Sequence, residues 1–307
     1  MTLTKRAYSA GHFELAIDGH KSTAYVKSVE GGHVRASTIE EPIGPENHRI
    51  KHTSVVDIEP FTCDCGMSGL GDVLRWIQGS WRKQFDRRNG QITHANFDLK
   101  RTFEHEFYDA LISETTFPTL DGSSKDAAYM KIKIQPENVV SKKTANQPVQ
   151  SNIGSKQKMW TPSSFRFNID GIDEMKYVNK LESFTVKQGI KKLYTGQERF
   201  PQIEPTKLEI PNIVGTISLE FADKLLDWYD QYVVKGQSDP KAQKSGSIEY
   251  LAPDKKTVLF EVTFGGLGMH HLSIAQSSAN QDAIKRVKFE LYASSIDISG
   301  PGSLGLE

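Results

Sequence analysis

The chain has 307 residues with 38 basic and 38 acidic side chains, so its formal net charge is zero. A neutral chain has no long-range field to attract nucleic acid, an anionic membrane or an acidic substrate. The N-terminus has no apolar run typical of a signal peptide, and no stretch of the sequence reaches the length of a membrane span. The length allows two domains with separate cores, so we expect a soluble, β-rich protein made inside the cell.

A pattern in the first thirty residues recurs at an offset of 152 positions, from Phe13 to Phe165. Residues 13–30 and 165–182 both contain alternating apolar residues, then Ile-Asp-Gly, then Tyr-Val, then Glu. Alternation is typical of a half-buried strand, and Asp-Gly is typical of a tight turn. Each copy is therefore predicted to form a β-hairpin, and the shared register predicts a duplicated domain.

Each predicted hairpin is followed by a long polar segment, residues 31–52 and residues 187–207. Segments of this length without strong periodicity bind a partner or form long hairpin arms, although solvated loops remain an alternative. Strand-like runs follow at residues 55–63 and 210–219. One amphipathic helix is then predicted in each half, with Trp76 and Trp228 as core anchors, from these apolar positions: Leu70, Val73, Leu74 and Ile77; Leu225, Trp228, Tyr229 and Tyr232.

Both halves then return to strands. The first half has strand-like runs at residues 92–100, 103–113 and 129–134, and the second at residues 248–251, 258–264 and 287–291. We predict a first domain over residues 1–140, a polar linker or arm over 141–163, and a second domain over 164–307 that ends in a flexible tail.

No motif in the sequence predicts catalysis, a cofactor or a metal. The formal G-x-G-x-x-G of residues 300–305 lies at the C-terminus without the strand and helix that a dinucleotide site requires. Cys63 and Cys65 have no second cysteine pair to complete a zinc site, and their alternate spacing predicts small core positions on one face of a strand. His270 and His271 are adjacent, so on a strand they would face opposite ways.

The order of elements resembles the tail tube proteins of contractile-tailed bacteriophages and related contractile injection systems. The resemblance covers the hairpin, the polar loop, the helix, Phe117-Pro118, Asp126-Ala127 and the alternating last strand, and it is best over residues 11–140. The second half has Gly265-Gly266 where Phe-Pro is expected. The resemblance implies a mainly β fold with two tandem β-sandwich or barrel domains of tail-tube type, each with one flanking α-helix.

The resemblance also implies a function. Tail tube proteins assemble into stacked rings that form a hollow conduit for DNA or effector passage. The implied partners are other copies of the chain, sheath proteins, baseplate or hub proteins, and cargo that passes without sequence-specific binding. The implied location is a virion tail or injection-system particle, assembled in the bacterial host cytoplasm, with no enzymatic activity, no cofactor and no membrane contact.

Two domains in one chain leave the ring open to more than one interpretation. Three chains could supply six similar domains, or six chains could each supply one. A hub or adaptor at the end of the tube, a glycan-binding pair of β-sandwiches and a glycan hydrolase are alternatives, although no paired acidic residues recur in the two halves as a hydrolase would need. The polar segments are predicted to make ring-to-ring contacts through Arg35, Glu40, Glu41, Arg49, Lys191, Lys192, Glu198 and Arg199.

Overall fold

The computed structural model describes residues 11–18, 24–44, 47–66, 70–144, 147–149, 160–274 and 284–299. It confirms a mainly β fold with two barrel-like sheets, each with one helix. The strands of the first half are β1 (His12–Ile17), β2 (Ala24–Glu30), β3 (Val34–Pro42), β4 (Arg49–Ile58), β5 (Phe61–Cys65), β6 (Arg88–Ala95), β7 (Arg101–Phe117), β8 (Leu120–Asp121), β9 (Met130–Gln135) and β10 (Asn138–Lys143). Helix α1 (Gly71–Trp81) lies between β5 and β6.

The second half repeats this order. Its strands are β11 (Phe165–Ile169), β12 (Val178–Leu181), β13 (Phe184–Leu193), β14 (Gln202–Glu209), β15 (Ile213–Ser218), β16 (Lys244–Leu251), β17 (Val258–Ile274), β18 (Arg286–Tyr292) and β19 (Ser295–Ser299). Helix α2 (Asp223–Tyr229) continues into a π-helical turn (Asp230–Val234), and short 3₁₀ helices span Asp173–Tyr177 and Leu219–Phe221.

The first half closes into a six-stranded antiparallel barrel. The strands run in the order β7, β6, β1, β2, β5, β9 and back to β7, and β10 adds to β7 outside this ring. Closure leaves the barrel strands without open edges over their paired residues. As predicted, Cys63 and Cys65 alternate into the core and are fully buried. Helix α1 buries its apolar stripe as the spacing predicted.

The second half has the same pairings except one. Strands β11, β16, β17, β18, β15 and β12 follow each other in the sheet, and β19 adds to β17, but β11 and β12 do not pair. The predicted hairpin at residues 165–182 is therefore wrong. Ile169-Asp170-Gly171 leads instead into the 3₁₀ helix, because the turn at Gly171 (φ +79°) brings Ile172 back against Ile169 and buries Met175 in the core.

The polar segments 31–52 and 187–207 form long hairpin arms, one of the two structures expected for them. The first arm is β3 with β4, and the second arm is β13 with β14. The two arms are related by the same 152-residue offset. Arg35 pairs with Asp57 in the first arm, and the residues 152 positions further on, Lys187 and Glu209, pair in the second. Both also contain a bulge at the same place, so the repeat holds at the level of single residues.

Several boundaries differ from the predicted ones. The run predicted at residues 92–100 ends early, because the side chain of Asn96 accepts hydrogen bonds from the backbone N–H groups of Asp98 and Lys100 and closes a turn. Strand β10 continues to Lys143, beyond residue 140. Strand β19 was not predicted at all. Most of the predicted linker and the tail from residue 300, including its glycine motif, lie outside the described residues.

Candidate assembly site: the junction between the two halves

The two halves are joined by a continuous sheet, and we call this contact the junction. Strand β13 of the second arm pairs with the end of β7, from Phe184 opposite Phe117 to Lys187 opposite Glu114. The hydroxyls of Thr116 and Thr185 lie 2.9 Å apart across this pairing. The second arm therefore extends the sheet of the first half, whereas within the described residues β13 pairs with no strand of its own half other than β14 of the same arm.

An aromatic cluster fills the centre of the junction. Phe117, the last residue of β7, is 0% exposed. Its ring stacks on Phe184 at 4.7 Å between centroids and lies 5.8 Å from the ring of Tyr250 and 6.5 Å from that of Phe260. Burying a phenylalanine removes a large apolar surface from water, so this side chain ties β7 to the core of the second half.

An ion pair closes the outer side of the junction. Arg82, just after helix α1, donates from Nε to both carboxylate oxygens of Asp297 on β19, each at 3.1 Å, and from Nη2 to one of them at 2.7 Å. These bonds hold the pKa of Arg82 above its ordinary value. Gln78 of the same helix donates to the carbonyl oxygen of Ile298. The helix of the first half thus binds the last strand of the second.

The predicted ring-contact residues lie on the two arms, and several already have partners in the chain. Glu40 accepts from Arg49 at 2.9 Å and from Lys51 at 2.6 Å across the first arm, and these contacts lower its pKa. Lys192 of the second arm contacts Asp57 of the first arm at 2.5 Å. The other predicted residues are exposed on the arms: Arg35, Glu41, Lys191, Glu198 and Arg199. Their role in ring contacts stays a prediction.

A cavity of about 420 Å³ lies at the base of the first arm, and we call it the histidine cavity. Its lining includes His33, His94, Phe103 and His105. The ring of His105 lies 5.5 Å from the rings of His33 and His94, and its Nδ1 is 2.8 Å from the hydroxyl of Ser141. Burial lowers the pKa of His105 to about 4 and lowers that of His94, so both are neutral at pH 7.

Sequence reasoning missed the histidine cavity. The sequence contains only a weak indication of this cavity. His94 and His105 lie on neighbouring strands, and the equivalent positions of the second half are Tyr250 and Val262, so the histidines are not part of the repeated pattern. Within the described ranges, no three histidine, cysteine or acidic side chains are arranged to hold a metal ion. Burial raises the pKa of the Cys63 thiol to about 12, so this group is not a nucleophile at neutral pH.

The geometry defines a class of protein, one built of β-barrels that join through their sheet edges. Residues 9–140 match the family described as T4-like virus tail tube protein gp19. Residues 9–140 are thus a tail tube domain, and this match supports a structural role in a tube. No protein with curated annotation matches the chain. In the described part of the chain, the helices are too short or too polar to cross a membrane.

Several solved structures resemble parts of the chain. One is a chain from the structure of an extracellular contractile injection system, the PVC sheath–tube complex in the extended state. The match has 20% identity, covers 46% of this chain and 95% of that chain, and has a TM-score of 0.40. A chain from the cap that terminates the tube of the anti-feeding prophage has 16% identity. That match covers 47% of this chain and 100% of that chain, with a TM-score of 0.36. Hcp1 from Flavobacterium johnsoniae has 15% identity. That match covers 44% of this chain and 94% of that chain, with a TM-score of 0.27.

Proposed function

We propose that three copies of this protein join head to tail into a ring of six barrels, and that such rings stack into the hollow tube of a phage tail or contractile injection system. The two halves act as two tail tube domains that alternate around the ring. The family match supports the tube role. The junction supports the way in which the ring is built.

One observation supports this proposal above the others. One junction forms inside the chain, while the arm and the strand end that would form a second junction have no such partner among the described residues. The first arm forms a sheet of its own among the described residues, although its counterpart, the second arm, pairs with β7. The end of β17 pairs on one side with β18, whereas the matching end of β7 pairs with both β9 and β13. Among the described residues, each chain therefore has an arm and a strand edge without a further strand partner.

Unpaired edges of this kind favour association with another copy. An exposed strand edge pairs readily with a further strand, and a head-to-tail contact gives a ring when its rotation closes. A first arm that adds to β17 of the next copy would repeat the internal junction. Three internal and three intermolecular junctions of the same geometry would complete six positions. A ring using one half from each of six chains would leave such edges unpaired in the other half.

The remaining parts of the proposal concern stacking, partners and location. The two arms carry the residues predicted for ring-to-ring contacts, from Arg35 near the base of the first arm to Glu198 and Arg199 at the tip of the second. Sheath and baseplate or hub proteins would bind outside and at the end of the tube, and DNA or effector cargo would pass through its bore. The protein would then be located in the tail of the particle after assembly in the host cytoplasm, and it would have no enzymatic activity.

Native mass spectrometry and electron microscopy of the purified full chain test this proposal. We expect closed rings of three chains, each of 34.4 kDa, that show six density lobes and stack into hollow tubes at high concentration. Rings of six chains would show that only one half enters the ring. A protein that stays monomeric at all concentrations would contradict the tube assignment.

A further inference from the structure

The paired registers identify, position by position, which residues of the second half correspond to the junction residues of the first. Strands β7 and β17 both have 17 residues, and they end at Phe117 and Ile274. Phe107 and Phe264 lie opposite Gly90 and Gly246, which anchors this correspondence. The free end of β17 can therefore be compared directly with the end of β7 that is already in a junction.

The two strand ends have opposite surroundings. Phe117 is 0% exposed in the junction, whereas Ile274 is 61% exposed. An isolated exposed isoleucine is unremarkable on its own. Its significance here comes from position, because it ends the strand edge that corresponds to the one covered by the second arm. A matching cover for Ile274 is absent from the described chain.

The histidine cavity is the counterpart of the site that receives Phe117. In the junction, Phe117 packs on Tyr250 and Phe260, which lie opposite each other on β16 and β17. The same register in the first half places His94 opposite Phe103 on β6 and β7, and both residues line the cavity.

The first arm also keeps this site open. The position that corresponds to Phe184 of the second arm is Gly32, at the 152-residue offset that the arms keep. Gly32 has no side chain to stack on an incoming residue. Phe61 lies against it instead, so that a Cβ at Gly32 would meet the Phe61 ring at 1.8 Å. The cavity of the first half thus has no side chain equivalent to Phe117 among the described residues.

The ion pair of the junction has an apolar counterpart. Arg82 corresponds to Val234 at the offset that relates Trp76 to Trp228. Glu106 and Thr263 are equivalent positions, because each precedes the aligned Phe107 or Phe264 by one residue. Val140 pairs with Glu106 and Asp297 pairs with Thr263, so Asp297 corresponds to Val140. Val234 is 64% exposed and Val140 is 44% exposed. Where the internal junction has a charged pair, the unused surfaces present two exposed valines.

We propose, on the basis of the function proposed above, that the apolar end of the second half, formed by Ile274 and Val234, docks on the first half of a second copy. Ile274 enters the histidine cavity, and Val234 packs on Val140. The partner is a second copy of this chain. The neutral imidazoles of His94 and His105 and the ring of Phe103 provide uncharged walls for such a side chain, and the exposed Glu30 and Glu59 complete the lining.

This arrangement also fixes the order of the halves around the ring. If two first halves met, Arg82 would face Val140, and if two second halves met, Val234 would face Asp297. Each mismatch would place a charge against an apolar side chain and leave the charge without its partner, which is unfavourable to the extent that the contact removes these partly exposed groups from water. Only the alternating order matches charge with charge and apolar with apolar.

The test places the internal pair at the intermolecular position. In the full chain, Val234→Arg should abolish ring formation, as should Val140→Asp alone. The double variant with Val234→Arg and Val140→Asp should restore rings, because it re-creates the pair that Arg82 forms with Asp297. The restored rings should dissociate at higher ionic strength than physiological salt, since a partly exposed ion pair is screened. Val234→Leu is the matched control and should assemble as the unchanged protein does.

Analytical ultracentrifugation reads the assembly state, and urea unfolding confirms that each variant is folded. Rings that persist in folded Val234→Arg, or a double variant that fails to recover them, would overturn the docking contact. If the unchanged protein itself formed no rings, the proposed function would fail, and that outcome is separate from failure of the docking contact.

Discussion

Phe117 and Ile274 show how one position can have two roles in a repeated structure. Both residues end a long strand, but only Phe117 has the second arm beside it. In the isolated chain Phe117 therefore contributes to folding, whereas Ile274 contributes little, because most of its surface stays in water. We expect Ile274 to contribute when copies associate.

Replacing these two residues by alanine separates the roles. Phe117→Ala should lower the free energy of unfolding of the monomer by about 3–5 kcal/mol, since it empties a buried aromatic site. Ile274→Ala should change it by less than about 0.5 kcal/mol, as exposed substitutions do, yet it should weaken ring formation. Urea unfolding of the monomer and sedimentation of the concentrated protein measure the two effects. Equal destabilisation of the monomer by both variants would contradict this division.

The arms differ at the scale of the element, although their registers are the same. The second arm is anchored: it pairs with β7, it buries Ile203, and Arg87 donates to the carbonyl oxygen of Ile203 at 2.5 Å. In the described part of the chain, the outer part of the first arm pairs only within its own two strands, and it exposes Ile39 and Ile50. Exposed apolar residues on a free hairpin are typical of a surface that meets another molecule.

Shortening each arm tests this difference. Replacing residues 39–52 by Asn-Gly joins the paired residues Thr38 and Thr53 through a two-residue turn. This variant should unfold at the same urea concentration as the unchanged protein and should form rings, but it should not form tubes in electron micrographs. Long tubes from this variant would show that the first arm is not needed for stacking.

The matched change in the second arm, residues 191–204 replaced by Asn-Gly between Ile190 and Pro205, should behave differently. It removes Ile203, which is 1% exposed, and should lower the free energy of unfolding by about 2–4 kcal/mol. It also removes the contact between Lys192 and Asp57, although a partly exposed pair contributes only about 0–1 kcal/mol.

At the scale of the whole molecule, a head-to-tail ring of three copies has an odd number of intermolecular contacts. This has a consequence for mixtures of the two single variants. Where residue 234 of a Val234→Arg copy meets residue 140 of a Val140→Asp copy, the contact is an ion pair. Where residue 234 of a Val140→Asp copy meets residue 140 of a Val234→Arg copy, the contact is the unchanged pair of valines. Strict alternation of two variants is possible only in a ring with an even number of chains.

Mixing the two single variants in equal amounts should therefore give dimers and short open chains but no closed three-chain rings. The double variant alone should close, because each of its contacts is the same. Native mass spectrometry distinguishes these species by mass. Closed rings of six chains from the mixture would favour the ring in which each chain fills one position.

The sequence by itself determined the repeat, the two helices, the arms and most of the strands. Those features follow from local periodicity, since the apolar stripe of residues 70–77 and the alternation of residues 13–17 are visible in a short window of sequence. The resemblance that led to the tail tube role also rests on that order of elements, and the family match to residues 9–140 confirms it.

Only the tertiary structure decided which copies of the repeated elements meet. The sequence predicted a hairpin from β11 and β12, but the two strands do not pair, and the 3₁₀ helix that links them packs against β11 and β15. The strand pattern does not distinguish the second arm, which crosses to β7, from the first arm, whose strands pair only with each other among the described residues. These contacts join residues 69 positions or more apart, such as Thr116 with Thr185 and Arg82 with Asp297, and their energies depend on where the chain places both partners.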